Sequence, residues 1–107
     1  MASGSNPTLN EALDQLWKQF LPQIEERVAV LETAGKALIS GKLSTDQRAE
    51  ANSAAHKLAG VLGTFGLTKG TILAREAEIF YAGEMDPANA AHVNEIAVQL
   101  RALVAGR

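Results

Sequence analysis

Apolar residues recur at steps of three and four along almost all of this 107-residue chain, and no stretch sustains period-two alternation. Such a pattern leaves little room for a sheet and calls for helices that each bury one stripe. The first stripe is Leu9, Leu13, Leu16, Phe20, Ile24, Val28, Leu31, Gly35 and Leu38. Pro22 interrupts it, because proline removes an amide donor and crowds the preceding turn. The spacing predicts a short helix over about 8–20 and a longer one over about 22–40, with Pro22 in the first turn of the second. A single kinked helix is the alternative. Gly41 is placed to end the stretch as a C-cap.

Ser44 then opens a helix, with Gln47 three residues on to complete a capping box. This helix carries Ala51, Ala54, Ala55, Leu58, Leu62 and Phe65 on one face. After Gly66, Thr68 is placed to cap a third segment, whose apolar side holds Leu73, Ala77 and Phe80 and which stops at Gly83. Asp86-Pro87 reads as an N-cap followed by a first-turn proline. The last helix packs Val93, Ile96, Ala97, Leu100, Leu103 and Val104 inward. Nineteen alanines against five aromatic residues agree with helix over sheet. The expected fold is all-α: an up-and-down four-helix bundle over residues 7–107, preceded within that span by a short extra N-terminal helix. Residues 1–6 read as a flexible tail outside the fold, of the kind left by recombinant expression.

Several function classes fall away on composition. Without cysteine there is no disulfide scaffold, thiolate zinc site, iron–sulfur cluster or thiol catalysis. Ten basic against twelve acidic residues, with no basic cluster, argue against a nucleic-acid partner. No apolar run approaches the roughly 20 residues of a spanning helix, and no signal peptide opens the chain. A soluble, cytoplasmic protein with no membrane partner is the expectation, and a monomer, because the polar helix faces leave no second apolar stripe. A di-metal bundle needs inward Glu-x-x-His pairs, which are missing. His56 and His92 are too few for a zinc site, so no bound metal or cofactor is expected. His92, beside Glu95 and Gln99 on the polar side of the last helix, reads as surface. Nothing marks a serine or histidine hydrolase.

The anomaly lies on the second long helix. At about 100° per residue, His56 falls roughly 140° or more from the centre of the apolar stripe, so it faces solvent or a partner. Its neighbours along the helix, Asn52, Ser53, Ala59, Gly60 and Gly63, are all small and leave the ring uncovered. Gly60, Gly63, Gly66 and Gly70 fall within eleven residues. Gly60 and Gly63 sit inside the helical pattern, where each costs about 1 kcal/mol relative to alanine. Close approach of a partner to that face explains them; tight packing of a neighbouring helix, or an early helix end, explains them equally well. On its own, an exposed histidine is ordinarily a plain surface residue.

The string Ala55-His56-Lys57-Leu58-Ala59-Gly60, continuing Val61-Leu62-Gly63-Thr64-Phe65-Gly66-Leu67, closely resembles the signature of histidine phosphotransfer (HPt) domains. These are four-helix bundles of two-component phosphorelays, with an exposed phospho-accepting histidine on the second bundle helix. The resemblance implies that His56 takes the phosphoryl group on its outer ring nitrogen, and that Gly60 leaves room for it and for the docking partner. Leu58 and Leu62 match positions that anchor the helix in the core. Glu78, 22 residues after His56, falls where family members place a polar side chain that hydrogen-bonds the imidazole. Asn52, Ser53, Ala59 and Gly63 would then form the docking surface. Implied partners are response-regulator receiver domains, which bring the magnesium ion, and a hybrid histidine kinase.

One departure stands out. Many members carry lysine three residues after the histidine, and here that position is Ala59. Lysine occurs instead at Lys57, about 100° around the helix, and Lys69 and Arg75 are possible substitutes. No Gly-x-x-x-x-Gly-Lys-Ser/Thr phosphate loop is present, so no intrinsic kinase activity is expected. The competing reading is a non-catalytic helical interaction module that keeps the bundle without the phosphate chemistry. The misplaced lysine favours it and the retained histidine opposes it.

Overall fold

The computed structural model describes residues 8–107; the expected tail at 1–6 lies outside them. Among the described residues four helices follow one another: α1 (Leu9–Ile39), α2 (Thr45–Thr64), α3 (Thr68–Ala82) and α4 (Ala90–Gly106), with a 3-10 turn, Pro87–Asn89, before the last. Packing runs α1–α2, α2–α3, α3–α4 and α4–α1, which closes the expected up-and-down bundle.

The separate N-terminal helix is corrected: α1 runs unbroken for 31 residues through Pro22. Proline removes the amide that would bond the Lys18 carbonyl. Both Lys18 and Pro22 are exposed, so the missing bond falls on the solvent side of the helix, where water can replace it. The longer α1 also corrects the inward stripe at its start. Leu9, Leu16 and Phe20 are exposed. There the buried residue is Trp17, edge-on to Phe65 at 5.2 Å and covered by the Arg107 guanidinium 5.0 Å away.

Local signals set the other ends. Ser44 and Gln47 form both bonds of the capping box. Gly41 and Gly66 adopt φ +72° and +75°, the left-handed conformation of a helix C-cap. At each, the following amide reaches back five residues, Lys42 to the Ala37 carbonyl at 2.7 Å and Leu67 to Leu62 at 2.9 Å. Thr68 does not cap α3; it is already the first helical residue, and Leu67 precedes it with no side-chain cap. Asp86 accepts from the Ala88 amide as an N-cap, although of the 3-10 turn that leads into α4.

Ile24, Val28, Leu58, Leu62, Tyr81, Ile96 and Leu100 fill the core. Tyr81 rather than Phe80 is the buried aromatic of α3. Its hydroxyl has no partner among the described residues, and burial pushes its pKa up to about 12. Between α1 and α4, a Cβ on Gly35 would meet Asn94 Oδ1 at 2.7 Å, so glycine there permits the helices to close.

Candidate functional site

The buried side of α2 comprises Ala51, Ala54, Ala55, Leu58, Ala59 and Leu62. His56 lies outside that arc, with 69% of its side chain exposed. Its Nδ1–H donates to Glu78 Oε2 on α3 at 2.6 Å. A carboxylate only accepts, so this contact places a proton on Nδ1 and, in the neutral ring, leaves the lone pair on Nε2. Glu78 is more sheltered, at 24% exposure. The ring is therefore fixed in rotamer and tautomer while its far end stays open.

The glycine cluster divides by cause. Gly66 serves the left-handed turn. A Cβ on Gly70 would meet Leu62 Cδ1 at 2.9 Å, and one on Gly63 would meet Thr71 Oγ1 at 3.2 Å, so both answer to the close approach of α3. Gly60 alone of the four has neither reason: its φ is ordinary and a Cβ there would meet nothing within 4 Å. One helical turn from His56, it keeps the floor beside Nε2 low.

Other expected positions are rearranged. Ala59, expected on an exposed docking surface, is instead buried, with only 2% of it exposed. The small residues of α2 and α3 bring the two helices close enough to extend the buried arc over it. Asn52 is half-buried, and its amide donates to the Glu78 carbonyl at 2.9 Å, so it ties down the residue that holds His56. Ser53 and Gly63 are exposed as expected. Lys57 and Ser53 line a groove with Glu26 and Glu50, on the flank towards α1 and away from Glu78. Lys69 lines a groove with Gln99 and Leu103 on the α4 side, whereas Arg75 is exposed one turn before Glu78.

Three contributors on the α2–α3 seam escape a reading by residue type. Arg48 donates to the Tyr81 carbonyl at 2.7 Å and to that of Gly83, closing the C-terminal end of α3. Thr71 donates to the Ala59 carbonyl at 3.0 Å. With Asn52, these bonds fix the register of α3 along α2 on both sides of the His56–Glu78 contact. The signal was faint: Arg48, Asn52 and His56 stand four residues apart on one helical face.

A second pair has similar chemistry. His92 Nε2 lies 2.9 Å from Glu76 Oε2, with the two side chains 59% and 47% exposed. His92 is thus on the surface as expected, but joined to α3 rather than to its own helix. Among the described residues no three His, Cys, Asp or Glu side chains converge as a metal cluster, and no helix is long and apolar enough to cross a membrane.

Comparison with known proteins gives a match to the Hpt domain family over residues 15–106. Protein RcaC of Microchaete diplosiphon is 37% identical over 71 residues, covering 66% of this chain. The chain spans only 11% of the length of that relative. No solved structure gives a significant match.

Proposed function

Since the chain belongs to the Hpt domain family, whose members serve histidine phosphotransfer in phosphorelays alongside response-regulator receiver domains, we propose that His56 is its phospho-accepting residue. The observation that carries this reading is a ring tied through Nδ1 to Glu78 at 2.6 Å, with Nε2 free beside an open Gly60.

The step balances with few parts. The Nε2 lone pair attacks the phosphorus of a receiver phospho-aspartate. An N–P bond forms as the acyl P–O bond breaks, and the aspartate leaves as its carboxylate. Nδ1 keeps its proton throughout. The positive charge that grows on the ring is met by the Glu78 carboxylate, through a charge-assisted hydrogen bond already in place. Reversal onto a second receiver aspartate returns the neutral ring. In this reading magnesium sits on the receiver, and the chain contributes a nucleophile on a rigid helix and a surface to dock on. It acts as a cytoplasmic monomer, which solution mass tests. A hybrid histidine kinase is one source of the incoming receiver.

Ala59 leaves no cation three residues after the histidine, and the α2–α3 seam closes over that position, where only 2% of the residue is exposed. Charge on the phosphate is then offset from the flanks, by Lys57 on α2 and Arg75 on α3. Incubation with a phosphorylated receiver is expected to give acid-labile, base-stable label on this chain, lost in His56→Gln. No label on the wild-type chain would leave a helical interaction module as the reading.

A further inference from the structure

The two flanks of His56 differ in chemistry. Towards α1, four charged side chains, Glu26, Arg27, Glu50 and Lys57, share the groove with the apolar Val30 and Ala54. Towards α3, the outward face carries two large exposed apolar side chains, Ile72 and Ile79, 56% and 72% exposed, with the exposed Arg75 between them. At about 100° per residue, these three lie roughly 60–120° around α3 from Glu78. Ile79 follows Glu78 in the chain. Ile72 follows Thr71, whose hydroxyl bonds the Ala59 carbonyl one turn beyond His56. The stripe therefore runs along the outward side of α3, level with His56 and Gly60, and at Ile79 it also borders the groove towards α4. The opposite side of α3 buries Gly70, Leu73, Ala74, Ala77 and Tyr81, so the bundle makes no use of these isoleucines.

We infer that the Ile72–Arg75–Ile79 stripe is the docking strip for the receiver, which leans over α3 rather than α1. The inference rests on His56 as the acceptor. Its occupant follows from the reaction: phosphorus must come to about 3–3.5 Å from Nε2. A standard interface covers about 800 Å² of each partner, a disc of about 16 Å radius. An interface of that size around His56 extends onto the helices on both sides, so the chemistry of the two flanks decides which one the receiver covers. The matching receiver surface is apolar, with an acidic group facing Arg75. Burying two isoleucines and leaving the charged α1 groove hydrated favours this lean, because charge desolvation on the other flank is avoided.

The test compares two phosphoryl donors. Phosphoramidate is too small to need a docking surface; its P–N bond breaks as Nε2–P forms, and ammonia leaves. The macromolecular donor is a phosphorylated receiver that labels the wild-type chain. In Ile72→Lys/Ile79→Lys, receiver-driven transfer is expected to fall by roughly ten-fold or more at sub-saturating receiver. Its half-saturating concentration should rise, while phosphoramidate still labels His56. The milder Ile79→Ser should give a smaller loss of the same kind. Glu26→Lys, on the α1 flank, should leave receiver transfer within about two-fold. Unchanged receiver transfer in the double variant overturns the inference, as does an equal loss in Glu26→Lys. Failure of both donors to label wild-type His56 overturns the acceptor reading instead.

Discussion

Two histidines on this bundle each face a glutamate of α3, and the difference between them is instructive. His56 uses Nδ1 to reach Glu78 at 2.6 Å, whereas His92 uses Nε2 to reach Glu76 at 2.9 Å. Nδ1 lies next to the β-carbon and close to the helix; Nε2 is the far end of the ring. The first pair therefore spends the inner nitrogen on the protein and leaves the outer one for a partner. The second does the reverse. Glu78 is also the better-held carboxylate, half-buried with its own carbonyl bonded to Asn52, while Glu76 is exposed. A histidine–carboxylate pair is thus no sign of a phospho-acceptor by itself; which nitrogen is left over decides.

The largest effects come from removing the rings. His56→Gln is expected to abolish receiver-dependent label, and His92→Gln to leave it at the wild-type level. Label that survived in the first variant and vanished in the second would reverse the comparison. Next comes the floor beside each ring. Gly60→Gln should block transfer with the helical circular dichroism unchanged, because the added side chain occupies the space beside Nε2. Gly60→Ala has open space and gains helix propensity, so it is expected to stabilise by about 1 kcal/mol, a rise in Tm of roughly 4–8 °C. Gly70→Ala should move the other way, since its Cβ would meet buried Leu62 at 2.9 Å.

The carboxylates sharpen the comparison further. Glu78→Ala is expected to slow labelling on the order of ten-fold, about 1.4 kcal/mol of transition-state stabilisation. In Glu76→Ala the labelling rate should hold. Asn52→Leu tests whether the Glu78 backbone must also be held. A loss smaller than that of Glu78→Ala, with the Nδ1–H tautomer less populated by nitrogen NMR, is the expected result.

What could be read in advance follows the range of each interaction. The Ser44–Gln47 capping box and the Gly41 and Gly66 turns were legible, because every partner lies within a few residues. Gly60 stood out only as one of a cluster; separating it from Gly63 and Gly70 needs the position of α3, which residue spacing on α2 does not contain. Arg48, Asn52 and Thr71 bond backbone carbonyls, and a carbonyl has no letter in the sequence. Glu78 was accessible through the family resemblance and not through helical periodicity, since 22 residues and a turn separate it from His56. Pro22 leaves the choice between two helices and one open in the sequence, because the cost of its missing amide depends on how exposed that turn is, which is a tertiary property. Ala59 likewise took its burial from how closely a neighbour packs.

A carboxylate pair with no reactive ring calibrates the other two. Glu32 on α1 accepts two bonds from Arg101 on α4, at 2.6 and 3.2 Å. That hydrogen-bonded guanidinium holds the Glu32 carboxyl below its ordinary value of 4.5, against a smaller opposing effect of burial. A carboxylate whose folded pKa is lowered binds protons more readily when unfolded. Its contribution is therefore complete above pH 4.5 and is lost as pH falls through the lower folded value. Both side chains are about a third exposed, so the pair should contribute no more than about 1 kcal/mol at neutral pH. Urea unfolding of the wild-type chain and Glu32→Gln should then differ by that small amount at pH 7 and converge as pH drops below 4.5. Phosphotransfer by Glu32→Gln should match wild type throughout the range in which the bundle is folded. A fall in transfer at neutral pH would mean that the α1–α4 seam couples to the ring, and that the sheltering of Glu78 is not a local property of α2 and α3.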